Sequence, residues 1–124
     1  MNSYDKTTPE SVIQSDLILE VSRLFANDLT IWRNNTGAAF DREGRMIKFG
    51  VKGQADISGI MKPLGARIEI EVKRPGGKPR PDQKLFEQMI KDHGGVYLLC
   101  DGDITKQVIE PLRARLERDR KVIR

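Results

Sequence analysis

The stretch GARIEIEVKRPGGKPRPDQ (residues 65–83) contains a strand pattern, a charged loop and the start of a helix. Successive side chains of a strand point to opposite faces of a sheet, so ARIEIEVK has one apolar and one charged face. The apolar face consists of Ile68, Ile70 and Val72, and the charged face of Glu69, Glu71 and Lys73. The apolar face is expected to pack on helices. Burying carboxylates costs free energy unless they are paired, so the charged face suggests a functional site.

The segments around this strand predict how the sheet is connected. VKGQADISGIM (residues 51–61) indicates a strand entered from a tight loop, and the short turn KPLG predicts a hairpin with ARIEIEVK (residues 66–73). RPGGKPRP excludes regular structure because of its prolines and glycines. A helix then begins at Pro81 and ends at HGG, before the buried strand VYLLC (residues 96–100). Because a helix connects them, strands 66–73 and 96–100 are expected to be parallel neighbours.

Helices are also predicted at both ends of the chain. The first is PESVIQSDLILEVSRLFAN (residues 9–27), whose apolar stripe consists of Ile13, Leu17, Val21 and Leu24. Glu10 projects onto this stripe, where a carboxylate is unusual. LTIWRNN (residues 29–35) indicates a strand, and DREG a turn between two short extended pieces. The last helix covers about residues 103–124, and Pro111 interrupts or restarts it.

This order of elements predicts the fold class. Helices and strands alternate along 124 residues, which is the length of one domain, so the whole chain (residues 1–124) is expected to form it. The pattern predicts an α/β fold: a central mixed sheet of four to five strands, flanked by helices on both faces.

Composition limits the class of protein. A hydrophobic content of 38% with 32% charged residues favours a globular chain over a disordered or membrane-embedded one. No apolar run approaches the roughly 20 residues of a membrane span, and the N-terminal MNSYDKTTPE lacks a signal-peptide pattern. We therefore expect cytoplasmic localisation and no membrane partner. Cys100, the only cysteine, fits a reducing compartment and a buried thiol.

Basic residues are concentrated in two places. The net charge is +4, which is a modest signal for an anionic partner. The group near the C-terminus, the basic residues between positions 113 and 124, fits a solvated surface as well as it fits phosphate contacts. The group in the central loop favours phosphate contacts, and it consists of Lys73, Arg74, Lys78, Arg80 and Lys84.

Acidic residues of the predicted hairpin meet at one edge of the sheet. Pairing around KPLG brings Asp56 close to Glu71 across the ladder. Clustered carboxylates repel each other, and a hard divalent cation such as Mg²⁺ or Mn²⁺ relieves that repulsion while accepting phosphate oxygens. Lys73 beside them is expected to stay protonated. The pattern is compatible with phosphodiester hydrolysis, but E-x-K alone is a weak motif that usually belongs to solvated cross-strand pairs.

The motifs KGQADISG, IEIEVKRPGGKPRPDQ and GGVYLL, in this order and spacing, resemble the VRR-NUC family of the PD-(D/E)XK nuclease superfamily. RNNTGAAF and PESVIQ resemble it as well, and the short, free-standing phage and bacterial members are the most similar. The resemblance covers about residues 9–101, the expected family core, and leaves the basic C-terminal helix (about residues 103–124) outside. It implies a restriction-endonuclease-like form of the predicted sheet.

The resemblance implies an endonuclease that depends on Mg²⁺ or Mn²⁺ and hydrolyses DNA phosphodiester bonds. Asp56 and Glu71 match its metal ligands, and Lys73 its catalytic lysine. Glu10 matches the acidic residue of the first helix, a further catalytic residue and metal ligand, and Gln83 the glutamine that approaches the site. Two positions lie outside the pattern: Ala55 replaces the usual proline before the aspartate, and Glu69 has no counterpart and is interpreted as peripheral.

The expected partner is DNA, recognised by its structure because no base-reading module is visible. The best candidates for phosphate contacts are Arg33, Lys52, Arg74 and Lys78. Compact members of the family resemble Holliday-junction resolving enzymes, so a homodimer acting on junction or other branched DNA in replication, recombination or phage DNA processing is expected. Two alternatives remain open: a non-catalytic nucleic-acid-binding module that keeps the nuclease fold, and an accessory subunit, for example of a helicase.

Three further residues have ordinary interpretations. Trp32 is interpreted as a core or interface residue in preference to a base-stacking one, and His93 as a helix-end residue in preference to a general base. Gly53 is expected to shape the turn before Asp56, with close approach to DNA as the alternative.

Overall fold

The computed structural model describes residues 4–35 and 37–123. Its elements follow in the order α1 (Glu10–Leu24), β1 (Leu29–Arg33), β2 (Gly37–Phe40), β3 (Met46–Phe49), β4 (Ile57–Met61), β5 (Ala66–Val72), α2 (Pro81–Asp92), β6 (Val96–Cys100) and α3 (Glu110–Val122). The architecture is a small α/β domain built on a mixed sheet, as the alternating sequence pattern predicts.

The central sheet has four strands in the order β1-β4-β5-β6. β4 pairs antiparallel with both β1 and β5, which confirms the hairpin predicted around KPLG. β6 pairs parallel with β5, as expected for two strands joined by α2. Ile57 lies opposite Ile70, so the next residues outward on the two strands, Asp56 and Glu71, meet at the end of the hairpin.

The apolar face of β5 forms the main core, as predicted. Its side chains pack against α1 and the C-terminal helix. The fully buried residues of this core include Ile13, Leu17, Val21, Ile57, Ile68, Ile70, Val72, Cys100, Val108 and Leu112. Cys100 is therefore the buried thiol expected from the sequence, and burial raises its pKa. The core extends beyond residue 101 because the last helix covers the sheet.

The opposite face of the sheet packs against α2. Phe86 and Ile90 of this helix form a second, smaller core cluster with Ala55 and Tyr97. Glu69 and Glu71 point to this side and are buried beneath the surface. Helices therefore lie on both faces of the sheet, as predicted, and α2 covers the β6 end of the face that carries Glu69 and Glu71.

The boundaries of several elements differ from the predictions. α1 ends at Leu24, and Phe25 takes the buried place expected for Leu24, which is 39% exposed. β1 ends at Arg33, two residues earlier than predicted. The last helix restarts at Pro111, as predicted, since α3 begins at Glu110 with Pro111 in its first turn, but the π-helical turn before it (Thr105–Ile109) was not predicted.

β2 and β3 form a separate two-stranded sheet around the predicted DREG turn. The Asp41 carboxylate holds this turn by accepting hydrogen bonds from the backbone N–H groups of Glu43 and Arg45. Phe40, Met46 and Ile47 of this hairpin are exposed. Within the described part of the chain, no helix has the length and apolar character needed to cross a membrane.

The C-terminal helix uses part of its positive charge inside the molecule. The Arg115 guanidinium pairs with the buried Asp119 carboxylate and donates to the Gly94 carbonyl oxygen. The Arg120 guanidinium donates to the Asp28 carboxylate at 2.8 Å. These contacts attach α3 to the rest of the domain. They give a structural role to Arg115 and Arg120, for which the sequence left a solvated surface and phosphate contacts equally open.

Candidate active site

Asp56 is held at the end of the central hairpin by backbone contacts. It lies in the last position before β4, and its Oδ2 accepts a hydrogen bond of 2.8 Å from the Val72 N–H of β5. The Asp56 carbonyl oxygen accepts from the Asn34 N–H at 2.8 Å. Both contacts fix the carboxylate beside Glu71, as predicted from the pairing of the two strands.

Glu71 is a buried carboxyl group next to another acid. Its side chain is 1% exposed, and the Gln83 side-chain amide donates a hydrogen bond to its Oε2. The pKa of Glu71 is raised to about 9. Burial is the largest cause, followed by the hydrogen bond with Asp56 and the charge of that residue. Lys73 acts in the opposite direction. Glu71 therefore carries a proton at neutral pH when no cation is bound.

Lys73 lies directly after β5, one position beyond Val72. Its N–H donates to the Cys100 carbonyl oxygen at 2.9 Å, so the backbone continues the pairing with β6. The side chain is half-buried, and its ammonium makes no hydrogen bond or ion pair with any other described residue. A cation beside two carboxyl groups and without a fixed partner is available for an anionic ligand.

Gln83 reaches the site from the first turn of α2. Its Oε1 accepts a hydrogen bond of 2.8 Å from the Arg80 N–H, and its Nε2 donates to Glu71. The side chain is buried, so the amide is oriented by both contacts. The structure thus places Gln83 at the pair of acids, in the position that the resemblance implies. The simpler interpretation, a polar residue of a helix start, also holds for its bond to Arg80.

Glu10 is not joined to this pair. It is the first residue of α1 and half-buried, and its carboxylate makes no hydrogen bond or ion pair with other described residues. Across residues 4–35 and 37–123, no group of three or more His, Cys, Asp or Glu side chains is arranged to hold a metal. The geometry therefore supplies two carboxylates, Asp56 and Glu71, from the three that the sequence suggested as metal ligands.

Glu69, interpreted from the sequence as peripheral to the site, pairs with a residue outside the site. The side chain is fully buried on the same face as Glu71, and its Oε2 accepts a hydrogen bond of 2.8 Å from Arg67 Nε. Its Oε1 has no hydrogen-bond partner among the described residues. The ion pair with Arg67, two residues away on the same strand face, explains how the sheet accommodates a second buried carboxylate.

Two supporting residues, Asn34 and Tyr97, were missed by the sequence reasoning. Asn34 Nδ2 donates to the Ala55 carbonyl oxygen and to Ser58 Oγ, which fastens the segment that carries Asp56. Tyr97 lies under α2, and burial, followed by the charge of Glu71, raises the pKa of its hydroxyl group. The RNN motif was a usable signal for Asn34, because Asn34 lies just after a strand that pairs with β4.

The four predicted phosphate contacts fall into two groups. Lys52, Arg74 and Lys78 are exposed in the loops before Asp56 and after Lys73, and their side chains form no ion pair with the described residues. Arg33 instead donates to the Ser11 carbonyl oxygen and to Ser15 Oγ, so it connects β1 to α1. Arg33 therefore lies on the α1 side of the sheet.

Gly53 has the structural role that was expected for it. It is buried with a positive φ of 76°, and an added Cβ would lie 2.2 Å from the Asp82 carbonyl oxygen at the start of α2. Any other residue would push the loop before Asp56 away from this helix. Since α2 occupies the space beside Gly53, the alternative of close approach to DNA at this residue is not supported. His93 likewise ends α2 and is exposed there.

The site therefore joins two carboxyl groups, one ammonium group and one amide at a single end of the sheet. Carboxylate oxygens are the ligands that Mg²⁺ and Mn²⁺ prefer, and a pair of them is sufficient when water and substrate complete the coordination. No protein-family model matches the chain, and no curated protein matches it at a significant level.

Proposed function

We propose that the chain is a divalent-metal-dependent endonuclease of the VRR-NUC family that hydrolyses DNA phosphodiester bonds. The observation that carries this proposal is the contact between Asp56 and the buried Glu71, whose pKa is raised to about 9 by burial first and by Asp56 second. Two acids pressed together in this way gain most from a cation. Lys73 and Gln83 flank the pair in the places that the family resemblance implies.

The donor set fits Mg²⁺ or Mn²⁺, which Asp56 and Glu71 would hold. When bound, such an ion polarises a phosphodiester and lowers the pKa of a bound water molecule. The Val72 N–H orients the Asp56 carboxylate, and the Gln83 amide orients Glu71. Lys73 offers its ammonium group either to position the attacking water molecule or to offset negative charge that builds on the phosphate group.

The exposed basic loops support DNA as the substrate. Lys52 lies in the loop before Asp56, and Arg74 and Lys78 lie in the loop after Lys73. Contacts of these cations with phosphates would position a strand without reading its sequence. We therefore propose a structure-selective enzyme with a restriction-endonuclease-like fold that acts on Holliday-junction-like or other branched DNA.

The proposed assembly is a homodimer. A two-fold dimer offers one site to each of two equivalent strands of a junction. The exposed apolar residues Phe40, Met46 and Ile47 of the β2–β3 hairpin support an additional protein contact, because such side chains are usually covered. Light scattering of the purified chain at several concentrations tests this state, and a mass of one chain at all of them would contradict it.

The experiment that tests the activity is a cleavage assay with the purified protein. Labelled four-way junctions, flaps, single strands and plain duplexes are incubated with Mg²⁺, Mn²⁺ or EDTA. We expect metal-dependent cutting, highest on branched DNA, and none by the Glu71→Ala variant. Glu87→Gln is the matched control, because Glu87 forms a surface ion pair with Lys91 and lies outside the site.

Each outcome of this assay distinguishes the proposal from its alternatives. Cutting that is lost in Glu71→Ala and retained in Glu87→Gln supports the endonuclease. Tight binding of junctions without cutting by the wild-type protein would instead support a non-catalytic binding module. A protein that neither cuts nor binds DNA would favour the role of an accessory subunit.

A further inference from the structure

Trp32 is exposed on the sheet, so of its two interpretations, core or interface residue, the core one is wrong. It is the only tryptophan of the chain, and 42% of its surface is accessible. On β1 it lies opposite Ser58, which in turn lies opposite Glu69 on β5. Paired residues share a face of the sheet, so Trp32 lies on the same face as Asp56 and Glu71.

The part of this face around Trp32 is open. α2 covers the opposite end of the same row of residues, where Phe86 and Ile90 pack on Tyr97. Next to Trp32 on β4, Ile60 is 51% exposed. The Arg67 guanidinium carbon lies 6.0 Å from the centre of the Trp32 ring, and its Nε is held by Glu69. The result is an aromatic surface with an oriented guanidinium beside it.

This surface is close to the candidate active site. Trp32 is separated from Asp56 by one strand spacing and two residues along β4, which corresponds to about 8 Å between backbones. Glu71 is one strand further, at about 12 Å. A nucleotide next to a phosphate at Asp56 and Glu71 is therefore within reach of Trp32.

We propose that Trp32 and Arg67 form a stacking platform for one unpaired base of the DNA strand whose phosphate is bound at the Asp56–Glu71 site. This inference rests on the proposed nuclease function and defines its substrate class as DNA with an unpaired nucleotide beside the scissile bond. Aromatic rings and guanidinium planes both stack with bases that have left the duplex. A base inside an intact duplex is covered on both faces by its neighbours and cannot use the platform.

The charges around the platform favour a nucleic-acid strand over a second copy of the chain. Arg67 is 51% exposed, and Lys62 in the turn after β4 is exposed as well. The only acid in the row, Glu69, is fully buried and neutralised by Arg67. In a two-fold contact of this face with itself, Arg67 and Lys62 would meet the same cations of the second copy, whereas DNA supplies phosphates.

The first test uses the fluorescence of the single tryptophan, in EDTA so that no strand is cut. The protein is titrated with a short thymidine oligonucleotide, an abasic oligonucleotide of the same length and a blunt duplex. We expect quenching by the thymidine strand and none by the abasic strand or the duplex, because stacking needs a free base. Equal quenching by all three, or emission that changes with protein concentration without DNA, would overturn the proposal.

The second test measures the same interaction without tryptophan emission. Trp32→Ala should weaken binding of a labelled single strand by about tenfold or more, as expected for loss of one stacked base, and Trp32→Phe should retain most of the affinity. Leu19→Ala is the control, since Leu19 is exposed on α1, outside the face that carries Trp32. Thermal unfolding confirms that each variant is folded. Unchanged affinity in folded Trp32→Ala would overturn the proposal.

Cleavage separates this inference from the function on which it rests. If the wild type cuts branched DNA, the Trp32→Ala variant should lose this cutting while its binding to plain duplex is unchanged. If the variant cuts branched DNA as the wild type does, the platform is refuted and the nuclease remains. If the wild type cuts nothing, the proposed function fails, and the fluorescence titration alone decides whether the platform exists.

Discussion

Glu69 and Glu71 lie two residues apart on the same face of β5, and both are buried, but they are neutralised in different ways. Glu69 accepts a hydrogen bond from Arg67 and forms a salt bridge with it. Glu71 contacts Gln83 and Asp56, and burial, followed by the neighbouring acid, raises its pKa to about 9. One strand thus carries one carboxyl group beside a cation and one beside a second acid.

The difference indicates which of the two residues is functional. A buried carboxylate with a cationic neighbour holds the fold in place and has little reason to bind anything else. A carboxyl group that must keep a proton because another acid is beside it gains when a metal cation replaces that proton. Exposure alone does not separate the two residues; the identity of the neighbour does.

The largest effect is expected from Lys73→Met. The ammonium group has no fixed partner among the described side chains, so its removal takes the cation from the phosphate and leaves the fold unaffected. We expect single-turnover cleavage to slow by about 10² to 10³ fold. The control is Lys91→Met, which removes a surface cation paired with Glu87. Wild-type cleavage by Lys73→Met would show that Lys73 has no catalytic part.

The next effect concerns Glu69, the carboxyl group beside a cation. Arg67→Ala leaves Glu69 buried without its cation and should destabilise the protein by about 3 kcal/mol in urea unfolding. Adding Glu69→Gln to Arg67→Ala removes the uncompensated charge and should recover a large part of this loss. A double variant no more stable than Arg67→Ala would mean that the ion pair does not explain the burial of Glu69.

A further effect on stability is expected from pH in EDTA. The folded protein keeps the Glu71 proton up to a pKa of about 9, whereas the unfolded chain releases it near the ordinary value of 4.5. The stability from this group is therefore complete below pH 4.5 and is lost as the pH rises through 9, with a slope of at most about 1.4 kcal/mol per pH unit.

This pH dependence is measured by urea unfolding of the wild type and of Glu71→Gln between these pH values. The variant should lose stability with pH less steeply than the wild type, because the amide does not titrate. Glu69→Gln is the comparison, since its side chain is held by Arg67. Parallel curves for the wild type and Glu71→Gln would contradict the assignment of the proton to Glu71.

The smallest effect concerns two basic residues: Arg33, which is bonded within the protein, and Lys78, which has no ion pair among the described residues. Lys78→Gln should weaken DNA binding a few-fold and reduce the slope of log affinity against log salt by about one, since Lys78 is exposed and unpaired in the described structure. Arg33→Gln should affect stability more than affinity, because Arg33 is bound to α1. Salt titrations of both variants test this, and equal slopes would contradict it.

Much of the fold follows from the sequence because its signals are local. The alternation in ARIEIEVK, the short KPLG turn and the helical pattern after Pro81 predict the hairpin and the parallel neighbour, and both are present. The burial of Phe25 in place of Leu24 was missed, because a helix end depends on what packs beneath it. The π-helical turn before Pro111 was missed because such a turn has no clear sequence signal.

The candidate site could be predicted only where the pairing of β4 with β5 determines which residues are neighbours. Strand pairing places Asp56 beside Glu71, so this contact was within reach of sequence reasoning. The roles of Glu69, Arg33 and Trp32 were not, because they depend on neighbours along and across the sheet. Side-chain pairing of this kind is a property of three-dimensional packing, which a pattern of residue types does not specify.

The most direct test of the account is the cleavage of branched DNA by the wild type, Glu71→Gln and Glu69→Gln, side by side with Mg²⁺ or Mn²⁺ and with EDTA. The account predicts metal-dependent cutting by the wild type and by Glu69→Gln, and none by Glu71→Gln. Cutting by Glu71→Gln, or loss of cutting in both variants while both remain folded, would contradict the distinction between the two carboxyl groups on which the proposed function depends.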